Sequence, residues 1–207
     1  MDRRRKNTQQ LGIKEDTKTF NWRFELDKIH DYAFWDNFLS KEECEKIITL
    51  GKSKNLLKGN VLNKKLTKVR KSNVSWLAPS DNLDWLYRKL TDSIVSLNKR
   101  FFNFDLIGIE EGLQFTNYNA PSGKYDYHVD RAYNFQIRKL SATIQLSNPN
   151  DYEGGNLELL NGTKPIPMKK DQGRLIVFPS FILHRVTPIT KGERNSLVSW
   201  ITGPHFK

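Results

Sequence analysis

The chain has 207 residues, of which 37% are hydrophobic and 28% are charged, and its formal net charge at pH 7 is +11. This size and composition are typical of a single soluble domain with a sizeable core. No apolar run approaches the roughly 18 residues that cross a bilayer, which argues against a membrane protein. Because no apolar segment follows the basic N-terminus and Cys44 is the only cysteine, we expect no secretory signal, no intramolecular disulfide and a cytoplasmic location.

The positive charge is concentrated between residues 52 and 71, where eight basic residues occur without an acidic one. Two interpretations are open. The favoured one is a solvated lysine-rich loop, and the other is a groove for an acidic peptide or a nucleic-acid backbone. Aromatic residues are not interleaved with these lysines, as they would be in a surface that stacks single-stranded bases.

The N-terminal part of the chain predicts a tail and two helices. Residues 1–19 are polar, and we expect a loose basic tail followed by a single domain over residues 20–207. The segment Ser40-Lys41-Glu42-Glu43 is typical of a capping box that begins a helix, for which Gly51 is the predicted end. Apolar residues at helical spacing predict a second helix from about Asp81 to Asn98.

The C-terminal half predicts strands. From Leu106 onward, short β-like runs alternate with turn signals. Helices first and strands afterwards predict a mainly β fold with some α, namely a β-sandwich or jelly roll buttressed on one face by the N-terminal helices. The predicted strands are Leu106–Tyr118, Tyr125–Asp130, Leu140–Leu146, Asn156–Leu160, Arg174–Phe178 and Ser196–Thr202.

The most informative motif is His128-Val129-Asp130, together with a distant His184. Residues two apart on a strand point to the same side, so His128 and Asp130 can reach one ion while Val129 faces away. Two histidines and one carboxylate form the facial triad that holds non-haem Fe(II) and leaves other positions open. A lone His-x-Asp is more often a structural pair. His184 follows a strand and a turn, and its expected place at a sheet rim favours the metal interpretation.

A second feature extends the metal interpretation toward a ligand. Arg194 carries a fork of donors that matches a carboxylate, and Tyr118 could add a phenolic hydroxyl to the same group. For any arginine considered alone, a surface ion pair is the competing interpretation. The combination predicts a site for a metal ion and a carboxylate ligand.

These residues resemble a known family. The set Tyr118, His128-x-Asp130, His184 and Arg194-x-Ser196 is similar to that of the Fe(II)/2-oxoglutarate-dependent dioxygenases, specifically the prolyl 4-hydroxylase superfamily with its prolyl- and lysyl-hydroxylase-type members. The resemblance extends from about Asp36 to Thr202. Further matching segments are residues 38–44, 69–77, 152–157, 173–180, 184–188 and 192–194.

The resemblance implies a double-stranded β-helix, which is a jelly roll with iron at one mouth. Arg194 would bind the distal carboxylate of 2-oxoglutarate, assisted by Tyr118 and Ser196. The implied reaction hydroxylates an unactivated C–H bond with Fe(II), 2-oxoglutarate and O₂, releases succinate and CO₂, and has ascorbate as a candidate additive. Three residues would be the iron ligands: His128, Asp130 and His184.

The substrate side is less well specified. Arg70, Ser72 and Trp76 resemble the loop that folds over the peptide in prolyl hydroxylases, but Asn73-Val74 stands where a glycine is common in peptide-hydroxylating members. Trp76 is equally a candidate for core packing. Two residues that follow the first iron ligands are further candidates for the substrate entrance: Arg131 and Tyr133, of which Tyr133 could instead pack internally.

Three functions therefore stay open. The favoured one is hydroxylation of a prolyl residue in a peptide or protein. The alternative is an oxygenase that acts on nucleic acid or an acidic small molecule, which the basic segment 52–71 suggests. A non-catalytic metal-binding jelly roll is disfavoured, because a binding module would not need Arg194. The sequence leaves the oligomeric state open, and a homodimer is compatible with it.

Overall fold

The computed structural model describes residues 29–59, 69–130 and 137–205. The predicted tail, the middle of the basic segment, Arg131 and Tyr133 lie outside the described residues. No helix in the described ranges is long and apolar enough to span a bilayer. The helical elements of these ranges are α1 (Lys41–Ser53), α2 (Asp84–Leu97), a π-helical turn (Asn98–Phe102) and a 3₁₀ turn (Pro149–Asp151).

Antiparallel strands are the main secondary structure of the described residues. The larger sheet has the order β1-β11-β7-β13-β5-β4-β2, with β8 paired to one end of β13, and the smaller sheet has the order β10-β9-β12-β6-β3. The strands are β1 (Ala33–Trp35), β2 (Leu57–Lys58), β3 (Arg70–Lys71), β4 (Asn73–Leu77), β5 (Leu113–Asn119), β6 (Lys124–His128), β7 (Ile137–Gln145), β8 (Tyr152–Gly154), β9 (Leu157–Leu160), β10 (Ile166–Pro167), β11 (Leu175–Pro179), β12 (Leu183–Val186) and β13 (Ile189–Gly203).

Apolar side chains are buried on both faces of the larger sheet. One core cluster joins Ile47 of α1 and Leu90 of α2 to Phe115 of β5 and Leu140 of β7. A second cluster joins the two sheets through residues such as Phe178, Leu159 and Val186. The jelly-roll prediction is confirmed, and the inner space between the sheets is where inward-facing polar residues can form a site.

The start of α1 agrees with the sequence, whereas its end does not. The Glu43 backbone N–H donates to Ser40 Oγ at 3.2 Å, and the Ser40 backbone N–H donates to the Glu43 carboxylate at 2.8 Å. This capping box satisfies two otherwise unpaired donors. Gly51 does not end the helix, which continues to Ser53. A Cβ at Gly51 would lie 2.3 Å from Phe115 Cγ, so the glycine is needed for close packing of α1 on β5.

Two further expectations are corrected. The predicted strand Leu106–Tyr118 begins only at Leu113, and before it only an isolated bridge joins Gly108 to Thr202. The segment Asn73–Leu77 is a strand that the sequence did not predict. Ser75 and Leu77 of this strand are buried, whereas Trp76, on the opposite face, is 43% exposed and is not a core residue.

Candidate metal centre and carboxylate pocket

His128, Asp130 and His184 meet where β6 and β12 pair. His128 is the last residue of β6 and lies opposite His184 of β12 in the antiparallel ladder. The Nε2 atoms of His128 and His184 lie 3.6 and 3.5 Å from the two Asp130 carboxylate oxygens. One ligand atom from each residue lies within 4.8 Å of the others. This arrangement suits three ligands on one face of a single ion.

Two positions in this group differ from the expectation. Because β6 ends at His128, Asp130 lies beyond the strand, where its backbone N–H donates to the Ser180 carbonyl at 3.0 Å. His184 lies in β12, the central strand of the smaller sheet, and not on a sheet edge. Val129 is 42% exposed, in agreement with its expected orientation away from the ligands.

Backbone and hydroxyl groups fix the orientation of the three side chains. His128 Nδ1 donates to the Asp126 carbonyl at 2.8 Å, and His184 Nδ1 donates to the Ile182 carbonyl at 2.9 Å. A carbonyl can only accept, so both imidazoles carry their proton on Nδ1 and leave the Nε2 lone pair for a metal. Ser141 Oγ donates to Asp130 Oδ2 at 2.7 Å.

The protonation states also suit metal binding. Burial, followed by the neighbouring His184 imidazole, lowers the pKa of His128 from 6.5 to about 4. Although burial alone would raise the pKa of Asp130, the His184 and His128 imidazoles hold it below its usual value. A neutral imidazole and an ionised carboxylate are the forms that bind a metal ion. The donor set, its spacing and its protonation therefore fit Fe(II).

A stack of side chains joins this group to β3. The Tyr125 ring lies parallel to the His128 ring, with 3.4 Å between the centroids, and the Arg70 guanidinium lies 4.7 Å from the Tyr125 centroid. Burial raises the pKa of the Tyr125 phenol to about 12, so the stacked ring is neutral. The stack restricts the rotation of one candidate ligand.

Arg194 forms a separate group deeper in the roll. It lies opposite Tyr118 in the β13–β5 ladder, is only 1% exposed, and donates to Gln145 Oε1 at 2.9 Å and to Ser196 Oγ at 3.3 Å. The Tyr118 ring centroid lies 5.4 Å from the guanidinium carbon. No carboxylate of the described residues forms an ion pair with Arg194. The surface ion pair that would have explained this arginine is thereby excluded within those residues.

Several buried polar atoms around Arg194 have no hydrogen-bond partner. They include its own Nε, Gln145 Nε2 and the Tyr152 hydroxyl, and Trp200 Nε1 near Asp130 shares this property. Leaving a buried donor unpaired costs about 1–3 kcal/mol, more for a charged group. Unpaired donors grouped around a buried arginine are the arrangement expected for a site completed by an anionic ligand, and they fit the distal carboxylate of a 2-oxo diacid.

The residues proposed for the substrate side lie where the chain passes from the smaller to the larger sheet. Arg70 donates to Ser72 Oγ at 2.8 Å and to Gln114 Oε1 at 2.9 Å. The exposed Trp76 ring lies 6.1 Å from the buried Trp200 ring. The structure thus connects all three residues to the inward face of the larger sheet, whereas Arg131 and Tyr133 lie outside the described residues.

The described ends of the basic segment are partly engaged with the rest of the protein. Lys52 forms an ion pair with Glu193 at 2.5 Å, and Lys71 donates to the Pro121 carbonyl at 3.0 Å and to Ser122 Oγ at 2.8 Å. These contacts favour a structural role for both lysines over a free cationic groove.

Comparison with known proteins finds one family that matches the part of the chain containing both groups. Residues 113–202, which contain the triad and Arg194, match the family model of the 2OG-Fe(II) oxygenase superfamily. This part of the chain is therefore similar to 2OG-Fe(II) oxygenases. A PKHD-type hydroxylase of Synechococcus sp. (strain CC9311) is 44% identical over 80 residues, which is 38% of the chain and 36% of that protein. One from Prochlorococcus marinus (strain NATL2A) is 36% identical over 117 residues, which is 55% of the chain and 52% of that protein.

The chain thus aligns with about half or less of these curated relatives. Two solved structures show the same fold over a longer range of the chain. A Pseudomonas putida prolyl-4-hydroxylase has a TM-score of 0.68 at 22% identity, covering 85% of the chain and 94% of that structure. A Trichoplax adhaerens prolyl hydroxylase, in complex with a peptide from the oxygen degradation domain of hypoxia inducible factor, has a TM-score of 0.69 at 21% identity and covers 83% of each.

Several residues of the two groups escaped the sequence analysis. Ser141 and Gln145 belong to a run in which polar residues alternate with Leu140, Ala142 and Ile144. This period-2 pattern could have indicated a polar inner face of the roll. Three others gave no local signal, because only strand pairing and the loops around Gly155 bring them to the site: Tyr125, Tyr152 and Lys170.

Proposed function

We propose that the protein is an Fe(II)- and 2-oxoglutarate-dependent hydroxylase. One observation carries the proposal: a buried arginine that has no carboxylate partner among the described residues shares the interior of the roll with a facial His-Asp-His group. Strand β7 contacts both, because Ser141 holds Asp130 while Gln145 accepts from Arg194. Residues 141 and 145 lie on the same face of the strand, so a metal ion and a distal anion site share one inner surface.

Each group has a defined task in this proposal. His128 and His184 would bind the ion through Nε2 and Asp130 through one oxygen. Bound Fe(II) would supply the activation of O₂ that hydroxylates an unactivated C–H bond while 2-oxoglutarate is converted to succinate and CO₂. The ion with one carboxylate ligand leaves a net positive charge, which attracts a dianionic co-substrate. Arg194, with Tyr118 and Ser196, would receive the distal carboxylate of that co-substrate.

The substrate we propose is a prolyl residue of a peptide or protein. The aromatic side chains near Asp130 support this choice. The exposed Trp76 ring lies beside the Trp200 ring, and the Arg138 guanidinium lies 3.8 Å from the Trp200 ring centroid. Aromatic faces pack well against an apolar ring. The prolyl hydroxylases among the structural neighbours, one of them solved with a peptide, add further support. Arg70, Ser72, Trp76, Arg131 and Tyr133 are the proposed substrate contacts.

The proposal is tested by incubating the protein with Fe(II), ascorbate, O₂ and 2-oxoglutarate, with and without a library of proline-containing peptides. We expect succinate formation that peptides stimulate, and peptide products heavier by one oxygen atom. A His184→Ala variant should form no succinate. Absence of succinate in every mixture would contradict the hydroxylase proposal, whereas succinate with modified oligonucleotides and unmodified peptides would replace the peptide substrate by nucleic acid.

A further inference from the structure

Lys170 lies beside the Arg194 pocket but belongs to neither of the two groups described above. It belongs to the segment between β10 and β11 and is partly buried. Its ammonium donates to the Gly154 carbonyl at 2.5 Å and lies 4.7 Å from the Tyr152 ring centroid. Within the described ranges no carboxylate forms an ion pair with Lys170. Burial and the nearby Arg194 charge lower its pKa.

Tyr152 connects this lysine to Arg194. Its ring packs under the ammonium, and its buried hydroxyl faces Arg194 without completing a well-directed hydrogen bond to it. Gly155 makes the close approach possible, since a Cβ there would lie 3.1 Å from Arg194 Cδ and 3.3 Å from Tyr152 Cε2. The backbone at Gly155 also has a positive φ of 61°, which disfavours any larger residue.

Two cations and an unpaired hydroxyl therefore surround one point in the roll. Two like charges in a partly buried position repel each other, and the protein supplies no carboxylate to offset them among the residues described. A ligand carboxylate would accept hydrogen bonds from Arg194 and Tyr152 and would be attracted by the charge of Lys170. A ligand that ends in a methyl group would offer no negative charge to Arg194 and Lys170 and no acceptor to the Tyr152 hydroxyl.

We propose that Tyr152 and Lys170 complete the carboxylate pocket at Arg194 and make the site selective for 2-oxo acids that carry a second carboxylate. This inference rests on the proposed function, because it assumes that a 2-oxo acid binds at the neighbouring metal ion. Tyr152 contacts the distal carboxylate directly, and Lys170 acts through its charge from behind the tyrosine ring. Discrimination between co-substrates then depends on residues that are far from Arg194 in the sequence.

The test compares 2-oxoglutarate with 2-oxopentanoate, which has the same carbon chain but lacks the distal carboxylate. Binding of each acid to the Fe(II)-loaded protein is measured by calorimetry without oxygen, so that no turnover is needed. Lys170→Gln removes the charge and keeps a donor for the Gly154 carbonyl. We expect this variant to bind 2-oxoglutarate about tenfold more weakly, and 2-oxopentanoate within about twofold of the unmodified protein. Lys169→Gln, a change of the neighbouring exposed lysine, should alter neither affinity.

Two further variants separate the effect of the Lys170 charge from a purely structural effect of the substitution. Lys170→Arg should retain most of the selectivity, and Tyr152→Phe should weaken binding of 2-oxoglutarate about fivefold without affecting 2-oxopentanoate. Equal weakening of both acids in Lys170→Gln would show a merely structural role and overturn the inference, as would unchanged selectivity in both Lys170→Gln and Tyr152→Phe. If the unmodified Fe(II) protein binds neither acid, the proposed function itself fails.

Discussion

The group formed by His128, Asp130 and His184, called the metal group below, lies in the same roll as the Arg194 pocket. The two differ in how their side chains are held. In the metal group, the protein itself fixes each side chain: both Nδ1 atoms donate to carbonyls, and Asp130 accepts from Ser141. In the Arg194 pocket, donors of Arg194 and Tyr152 have no partner. The first group is organised before any ligand arrives, whereas the second requires a ligand to satisfy it.

This difference predicts how each region responds to change. Damage to the metal group should abolish binding of the ion, because its geometry depends on protein contacts alone. Changes in the pocket should affect only binding of the co-substrate, and removal of an unpaired buried cation there can even raise the stability of the protein. Four experiments test this contrast, beginning with the largest expected effect.

Replacing Asp130 by Asn should lower the rate of succinate formation by about a thousandfold or more, because the only anionic ligand of the group is lost. Fe(II) affinity, measured by anaerobic titration, should fall in parallel. Asp126→Asn is a matched control two residues before the His128–Asp130 pair, since the Asp126 carboxylate pairs with Lys124 and not with the metal group. If the two variants behave alike, Asp130 is not a ligand.

Replacing Arg194 by Met should raise the dissociation constant for 2-oxoglutarate about a hundredfold and leave Fe(II) affinity within about threefold. The thermal unfolding temperature should stay the same or rise, since an unpaired buried cation is removed. Arg100→Met, at an exposed position, serves as the control. A large loss of Fe(II) affinity in Arg194→Met would show that the two regions are not independent.

Replacing Ser141 by Ala should weaken Fe(II) binding about tenfold, because Asp130 loses the hydroxyl that orients it. The affinity for 2-oxoglutarate, measured at saturating Fe(II), should change by less than about twofold. Ser199 lies in β13, which is paired with β7 in the same sheet, and its buried hydroxyl has no hydrogen-bond partner. Ser199→Ala should therefore leave the Fe(II) affinity unaltered. Equal Fe(II) affinity in Ser141→Ala and the unmodified protein would contradict the orienting role.

The metal-free protein should become less stable as the pH falls from about 6.5 to about 4. The pKa of His128 in the folded protein is about 4, below its ordinary value of 6.5, so the unfolded chain binds more protons in this window. At about pH 5.5 the free energy of unfolding should be about 1 kcal/mol lower than at about pH 7.5. Urea unfolding at several pH values measures this. His128→Gln should flatten the profile, and His30→Gln should not.

The sequence predicted the residues whose signal is local and missed those that depend on distant pairing. The triad follows from the His-x-Asp spacing and the beginning of α1 from four consecutive residues. Gly51 was misinterpreted because the sequence does not distinguish a glycine that ends a helix from one that packs closely against a facing strand. Tyr152 and Lys170 escaped because their proximity to Arg194 arises from loops between strands, whose path the strand pattern does not determine.

The contact between Gly51 and Phe115 has a consequence for the interior of the roll. Phe115 points from β5 toward α1, while its neighbours Gln114 and Thr116 point inward, and Tyr118 lies on the same inner face. A side chain at position 51 would separate the helix from the strand and would displace β5 toward the interior between the two sheets. The packing of α1 on β5 thereby limits the space between the two sheets, through a glycine that lies outside that space.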